Sequence, residues 1–192
     1  MEAFLPDALR DFDYRIFKIF NNFAGKSQAL DAALIALSEY VMFLMIAGLA
    51  LFVLLRKDRI RSAAALQAFT AAFIGRAIIV SLVRIFFFRV RPFVAGTVLQ
   101  LVDHNPLEGS FPSGHATVMF SLAFSLLFVN RRWGFFYLFL AIISSLARIT
   151  VGVHFPFDIL GGIVVAAVSA FAAKWIFDFW LTRRRRKEAA PQ

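Results

Sequence analysis

The sequence predicts an all-α, polytopic membrane protein, a bundle of five spanning helices preceded by an N-terminal amphipathic helix. Three observations carry that expectation. Of 192 residues, 60% are hydrophobic and 25 are Phe, and the mean hydropathy is +0.74. Only 17% are charged, against about 25% in soluble domains. The apolar residues gather in blocks about the length of a membrane span. A water-soluble domain of this size has too little interior to hide so much apolar surface, and the low polarity excludes a disordered chain.

Residues 6–23 form the first element. Leu9, Phe12, Ile16, Phe17, Ile19 and Phe20 alternate with Asp11, Asp13, Arg15 and Lys18. That spacing suits an amphipathic helix lying in the membrane interface, and equally a short helix packed on the bundle. Its early acids and interrupted apolar pattern do not read as a cleavable signal peptide. A spanning helix needs about 20 mainly apolar residues, at about 1.5 Å each, to cross about 30 Å of hydrocarbon. Five segments qualify: 30–55, 63–88, 113–129, 133–151 and 157–181. The third is short, its loop-side end starting at the interface.

Charge sets the orientation. Arg56, Lys57, Arg59 and Arg61 follow the first span, Arg131 and Arg132 the third, and Arg183 to Lys187 the fifth. All three clusters fall on one side of a five-span arrangement, which the positive-inside rule makes cytoplasmic. The C-terminus is then cytoplasmic, while the 89–112 loop and the turn around His154 face outward. The net charge of +9 reads as a topology signal beside lipid headgroups, not as a nucleic-acid footprint. With no Cys, thiol nucleophiles, disulfides and iron–sulfur sites are excluded. Residues 1–187 are expected to form one membrane-embedded domain, and 188–192 a disordered cytoplasmic tail.

The outward loops hold polar residues that an apolar bundle does not need. Phe111-Pro112-Ser113-Gly114-His115 opens the third span, and Arg148, His154 and Asp158 surround the next outward turn. Free N–H groups at the start of the third helix favour an anion. Gly114 admits a ligand close to the backbone, and the Ser113 hydroxyl is a further donor. Arg84, Arg91 and Arg148 offer planar forks matched to phosphate oxygens. His154 and Asp158, four residues apart, share a face if the turn is helical. Asp158 would then accept a hydrogen bond from Nδ1–H and leave Nε2 as a nucleophile, with His115 available as general acid. Each piece alone has a plainer reading: Ser-Gly-His as a helix cap, the arginines as headgroup contacts, the His–Asp pair as an exposed helical pair. Their convergence on one membrane face and one ligand is the more specific signal.

At these residues the chain resembles the type-2 phosphatidic acid phosphatase superfamily of membrane lipid phosphatases. The three signature parts read Arg84, six residues, Arg91-Pro92; then Pro112-Ser113-Gly114-His115; then Ala147-Arg148, five residues, His154, three residues, Asp158. Arg84 stands where the family has Lys and Ala147 where it has Ser, which changes donor geometry at one position and removes a hydroxyl at the other. The resemblance implies His154 as nucleophile, Asp158 as its orienting partner, His115 as general acid, and Arg84, Arg91, Ser113, Gly114 and Arg148 as phosphate ligands. It also implies metal-independent chemistry through a phosphohistidine, with no cofactor, which agrees with the lack of a carboxylate cluster on this face. Asp103, His104 and Glu108 read as loop residues.

Within the superfamily the layout is similar to bacterial undecaprenyl-diphosphate phosphatases, through Leu30-Asp31, Ser38-Glu39-Tyr40 and Arg91-Pro92-Phe93-Val94. That resemblance implies release of the terminal phosphate of a C55 polyprenyl diphosphate on the outer face of the cytoplasmic membrane. Phosphatidylglycerol phosphate, phosphatidate and lipid A 1-phosphate are the competing substrates. Arg76 and Glu39, inside spans, suit either an intramembrane pair or a transport path.

Overall fold

The computed structural model describes residues 5–56 and 59–188, and these residues contain helices and no strand. The helices are α1 (Asp7–Asn21), α2 (Gln28–Arg56), α3 (Arg59–Phe73), α4 (Val80–Phe86), α5 (Pro92–Ala95), α6 (Gly114–Leu127), α7 (Arg131–Thr150) and α8 (Pro156–Glu188). A π-helical stretch, Ile74–Ile79, joins α3 to α4, so the two continue as one long element. Lys57 of the first basic cluster and residues 189–192 of the expected tail lie outside the described residues.

Among the described residues, four segments are long and apolar enough to cross a membrane: Gln28–Leu55, Ser62–Phe86, Arg131–Thr150 and Pro156–Trp180. Their outer faces carry large apolar side chains such as Leu54, Phe86, Phe171 and Trp175, all more than two-thirds or nearly so exposed. Those faces account for the composition, since lipid solvates them as water would not. The third expected span is different. α6 has 14 residues, about 21 Å at 1.5 Å per residue, and it packs against α3, α7 and α8. Ala116, Met119, Leu122 and Ala123 are fully enclosed, so protein encloses this helix, while the four longer spans each keep an exposed apolar face.

Small residues let the helices approach closely, as is usual when lipid removes the hydrophobic drive for association. Ala68 and Ala71 on α3, Ala123 on α6, and Ala166, Ala170 and Ala173 on α8 are all at 0% exposure. Hydroxyls also bridge helices: Ser121 and Ser169 meet at 3.0 Å and Thr117 donates to the Gly162 carbonyl at 3.3 Å between α6 and α8, and Tyr137 on α7 donates to that of Met45 on α2 at 3.0 Å.

The α1 helix lies against α7 and α8. It buries Asp13 and Phe17, one turn apart, with Phe17 edge-on to Phe155 at 5.3 Å. Leu9, Phe12, Ile19 and Phe23 remain exposed. Asn21 ends the helix by donating to the carbonyls of Leu99 and Thr150, which pins the 89–112 loop over the end of α7.

Candidate active site

The turn between α7 and α8 is built on Gly152. Its φ is +86° and a Cβ there would meet the Leu99 carbonyl oxygen at 2.5 Å, so the left-handed conformation and the close approach both require glycine. The N–H groups of Gly152 and Val153 return to the carbonyls of Ile149 and Arg148, closing the last turn of α7 as glycine-ended helices do. The chain then reverses within a few residues, which brings Arg148 and His154 to one place.

Helix α8 opens with Pro156 at its first position and Asp158 at its third. Asp158 Oδ2 accepts the Phe155 N–H at 2.8 Å, half of a capping box. His154 lies just before the helix, and its Nδ1 is 3.5 Å from the same Oδ2. The four-residue spacing therefore works through the cap and not through a shared helical face, which corrects the expectation of a helical pair. At 3.5 Å the contact is longer than a hydrogen bond, and Nδ1 is buried with no hydrogen-bond partner. Burial first, then the charges of Arg148, Arg91 and Arg84, hold the His154 pKa well below its usual value. His154 is therefore neutral near pH 7, the state a nucleophile needs.

Three guanidinium groups stand around it. Arg84 donates to the Pro112 carbonyl at 3.1 Å. Arg91, extended before Pro92 as residues preceding proline are, donates to the carbonyls of Val153 and Glu108, both at 3.2 Å. Arg148, at 0% exposure, donates from Nη1 to Glu39 at 2.9 Å and to the Ser38 carbonyl at 3.1 Å. The Nε atoms of Arg84 and Arg148 are buried without an acceptor in the protein. Buried donors are nearly always paired in folded proteins, so these two are suited to an external anion.

Ser113 caps α6, accepting the Ala116 N–H at 3.4 Å, while its own N–H donates to the Asp158 carbonyl at 2.9 Å. Accepting leaves the hydroxyl proton free to donate elsewhere. A Cβ on Gly114 would meet Arg76 Nε at 2.5 Å. The space reserved by this glycine holds an arginine side chain, where a close-approaching ligand was expected. His115 follows on α6, half-buried and within electrostatic range of Arg148, His154, His104 and Arg76.

Two expectations change. Glu39 pairs with Arg148 and not with Arg76. His104, read as a loop residue, comes to the site: its Nε2 is 2.9 Å from Arg148 Nη2 and 3.9 Å from Glu39. Burial, then Arg148, Arg91 and Arg84, pull its pKa down to about 4. Asp103 and Glu108 are exposed as expected, though Glu108 approaches Arg91 at 3.6 Å. Among the described residues no group of three or more His, Asp and Glu side chains is placed to hold a metal ion.

The sequence reading missed a further group. Arg89, itself buried, donates to Asp158 Oδ1 at 2.9 Å and to Asp13 Oδ2 at 2.6 Å. A signal was available: Asp13 precedes the apolar Phe17 by four residues and so shares its face, an odd place for an acid without a partner.

The model of the PAP2 superfamily matches residues 65–182. The chain belongs to the PAP2 superfamily. It is 31% identical over 159 residues to undecaprenyl-diphosphatase BcrC of Bacillus subtilis, covering 83% of this chain and 81% of that protein. It is 30% identical over 167 residues to the bacitracin transport permease protein BcrC of Bacillus licheniformis, covering 85% and 77%. The crystal structure of Aquifex aeolicus LpxE has the same fold, with a TM-score of 0.68 and 22% identity over 90% of this chain and 97% of that one. The protein is thus a multi-pass PAP2 membrane phosphatase, a lipid phosphatase hydrolase. The PAP2 match contains Arg84, Arg91, Ser113, His115, Arg148, His154 and Asp158, and also His104 and Arg89. Asp13 and Glu39 lie outside it, contributed by α1 and α2. Of the two departures from the PAP2 signature, Arg84 keeps its charge on the Ser113 turn, and Ala147 is enclosed within α7.

Proposed function

We propose that this PAP2 phosphatase removes the terminal phosphate of undecaprenyl diphosphate, giving undecaprenyl phosphate and inorganic phosphate. The observation that carries the reading is a neutral, buried His154 ringed by Arg84, Arg91 and Arg148, two of which keep buried Nε donors unpaired. That arrangement suits a phosphoryl group, whose transition state spreads charge over three equatorial oxygens. The likeness to the Bacillus subtilis enzyme over most of both chains supports the choice of lipid.

The reaction is a double displacement. Nε2 of His154 attacks the terminal phosphorus and forms a P–N bond while the bond to the bridging oxygen breaks. The electron pair leaves with the lipid phosphate, which takes a proton from the imidazolium form of His115 and leaves that ring neutral. Asp158 faces Nδ1 and stabilises the positive charge that grows on the ring. Neutral His115 then takes a proton from water, the water oxygen attacks phosphorus, and the P–N bond breaks to release phosphate and restore His154. Arginine donors act on the phosphoryl oxygens throughout, and no metal is used.

In this reading α6 is a fifth, protein-enclosed span. The three basic clusters face the cytoplasm, residues 1–187 form one membrane domain, and the site opens on the outer face of a bacterial cytoplasmic membrane. α1 lies in the outer interface with Leu9, Phe12 and Ile19 toward lipid.

Phosphate release from C55 diphosphate in detergent with EDTA present tests the proposal. Wild type should turn over undiminished by EDTA, and His154→Ala should lose at least ~10³-fold in kcat. Ordinary activity in His154→Ala would remove the nucleophile assignment. Faster hydrolysis of phosphatidylglycerol phosphate, phosphatidate or lipid A 1-phosphate would remove the substrate assignment.

A further inference from the structure

The carboxylate that faces His154 is tied to the N-terminal helix through one buried arginine. Arg89 Nη1 is 2.9 Å from Asp158 Oδ1, and its Nη2 is 2.6 Å from Asp13 Oδ2. The side chains of both acids are at 0% exposure and that of Arg89 at 7%. The rest of the fork is fixed as well. Asp13 Oδ1 accepts the Phe157 N–H at 2.9 Å, the Arg89 guanidinium lies 4.1 Å from the Phe155 ring centroid, and Ser110 donates its N–H to the Arg89 carbonyl at 2.8 Å.

Charge decides what this arrangement does. A single arginine closed onto Asp158 would form a neutral pair, and little negative potential would reach His154. With both carboxylates ionised, sharing the same arginine between them leaves the cluster with one net negative charge. That charge lies beside the imidazole that must become cationic during attack. Buried charges at these distances are screened little by salt. The fork also fixes the carboxylate plane, because Asp158 Oδ1 is held by Arg89 while Oδ2 meets the Phe155 N–H and faces Nδ1. Burial raises the pKa of Asp13 and the Arg89 charge opposes that rise, so the acid depends on the arginine for its ionisation as the arginine depends on it for balance.

We propose that Asp13 and Arg89 are positioning residues for Asp158, and that α1 thereby takes part in the reaction by leaving Asp158's negative charge available to His154. The inference rests on the phosphatase reading.

The test compares purified wild type, Asp13→Asn, Arg89→Gln, the double variant and Phe17→Leu on C55 diphosphate, with a thermal midpoint for each. Asp13→Asn should lose ~10-fold in kcat with KM within about twofold, and should cost nothing further once Arg89 is Gln. Asp13→Glu should recover part of the loss. Phe17→Leu loosens α1 against Phe155 without touching a charge; it should lower the midpoint and leave kcat alone. Equal kcat losses in Phe17→Leu and Asp13→Asn would show that α1 acts only by docking, and would overturn the proposal. So would an undiminished kcat in Asp13→Asn, or an undiminished Asp13→Asn effect when Arg89 is Gln. Should Asp13→Asn fail to fold, Arg89→Lys keeps the charge and loses the fork; full activity there is equally fatal. A wild type inactive on C55 diphosphate would instead remove the proposed substrate, and the comparison would move to the lipid it does hydrolyse.

Discussion

Arg148 donates from Nη2 to His104 Nε2 at 2.9 Å. A guanidinium has no acceptor atom, so Nε2 must be the acceptor and the His104 proton resides on Nδ1. Arg148 thus fixes the tautomer of a third histidine in the site and leaves it a neutral donor.

Acid should destabilise the fold through this histidine and His154. Both have native pKa values below the unfolded value of about 6.5, with His104 at about 4. Between those values the unfolded chain binds protons that the native state refuses, so stability is complete above about pH 6.5 and is lost as pH falls toward 4. Thermal midpoints measured from pH 8 to 4 should decline across that window. His104→Gln, which keeps an acceptor for Arg148, should flatten the decline. An unchanged slope in that variant would contradict the depressed pKa of His104.

Gly114→Ala should act through Arg76. The new Cβ would fall 2.5 Å from Arg76 Nε, and the flexible side chain can swing away, so the stability cost should stay near ~1 kcal/mol. Moving a cation off the turn between Ser113 and His115 should raise KM for the lipid phosphate several-fold. Arg76→Ala combined with Gly114→Ala should restore the thermal midpoint and not the KM. A calorimetric scan with a phosphate-release assay on wild type and these two variants checks both halves.

His115 should matter more for some lipids than for others. A lipid phosphate is a far better leaving group than an alkoxide, and so needs less proton assistance. His115→Ala should therefore lose ~10-fold on C55 diphosphate and ~10²-fold or more on phosphatidate. Equal losses on both lipids would argue that His115 acts elsewhere in the cycle than on the leaving oxygen.

Much of the fold was legible because lipid imposes a simple rule on sequence. A span must be continuously apolar, and α2, the α3–α4 element, α7 and α8 all announce themselves that way. The rule is weaker for α6, which protein encloses and which therefore need not match the membrane's thickness. The π-helical stretch around Arg76 and the short α5 after Arg91 left no periodic mark. Within the site, the cap of α6 was readable, whereas the His154–Asp158 link was expected along a helical face and is made at the start of α8. Pro156 and Asp158 specify a helix start that draws Asp158 back toward His154, and Ser113 specifies the cap of α6.

By itself, then, the sequence determined a membrane helix bundle with histidines, arginines and an aspartate of the PAP2 signature at its helix ends. Only the tertiary structure decided the partners of those side chains. It set His104 on Arg148 across 44 residues, Glu39 on the same arginine, Arg76 in the space left by Gly114, and Asp13 on Arg89 across 76 residues. The reason is physical. Periodicity and hydropathy record what surrounds each helix, whereas a buried charge is stabilised by whichever partner the packing brings within 3 Å, and no local pattern encodes that choice.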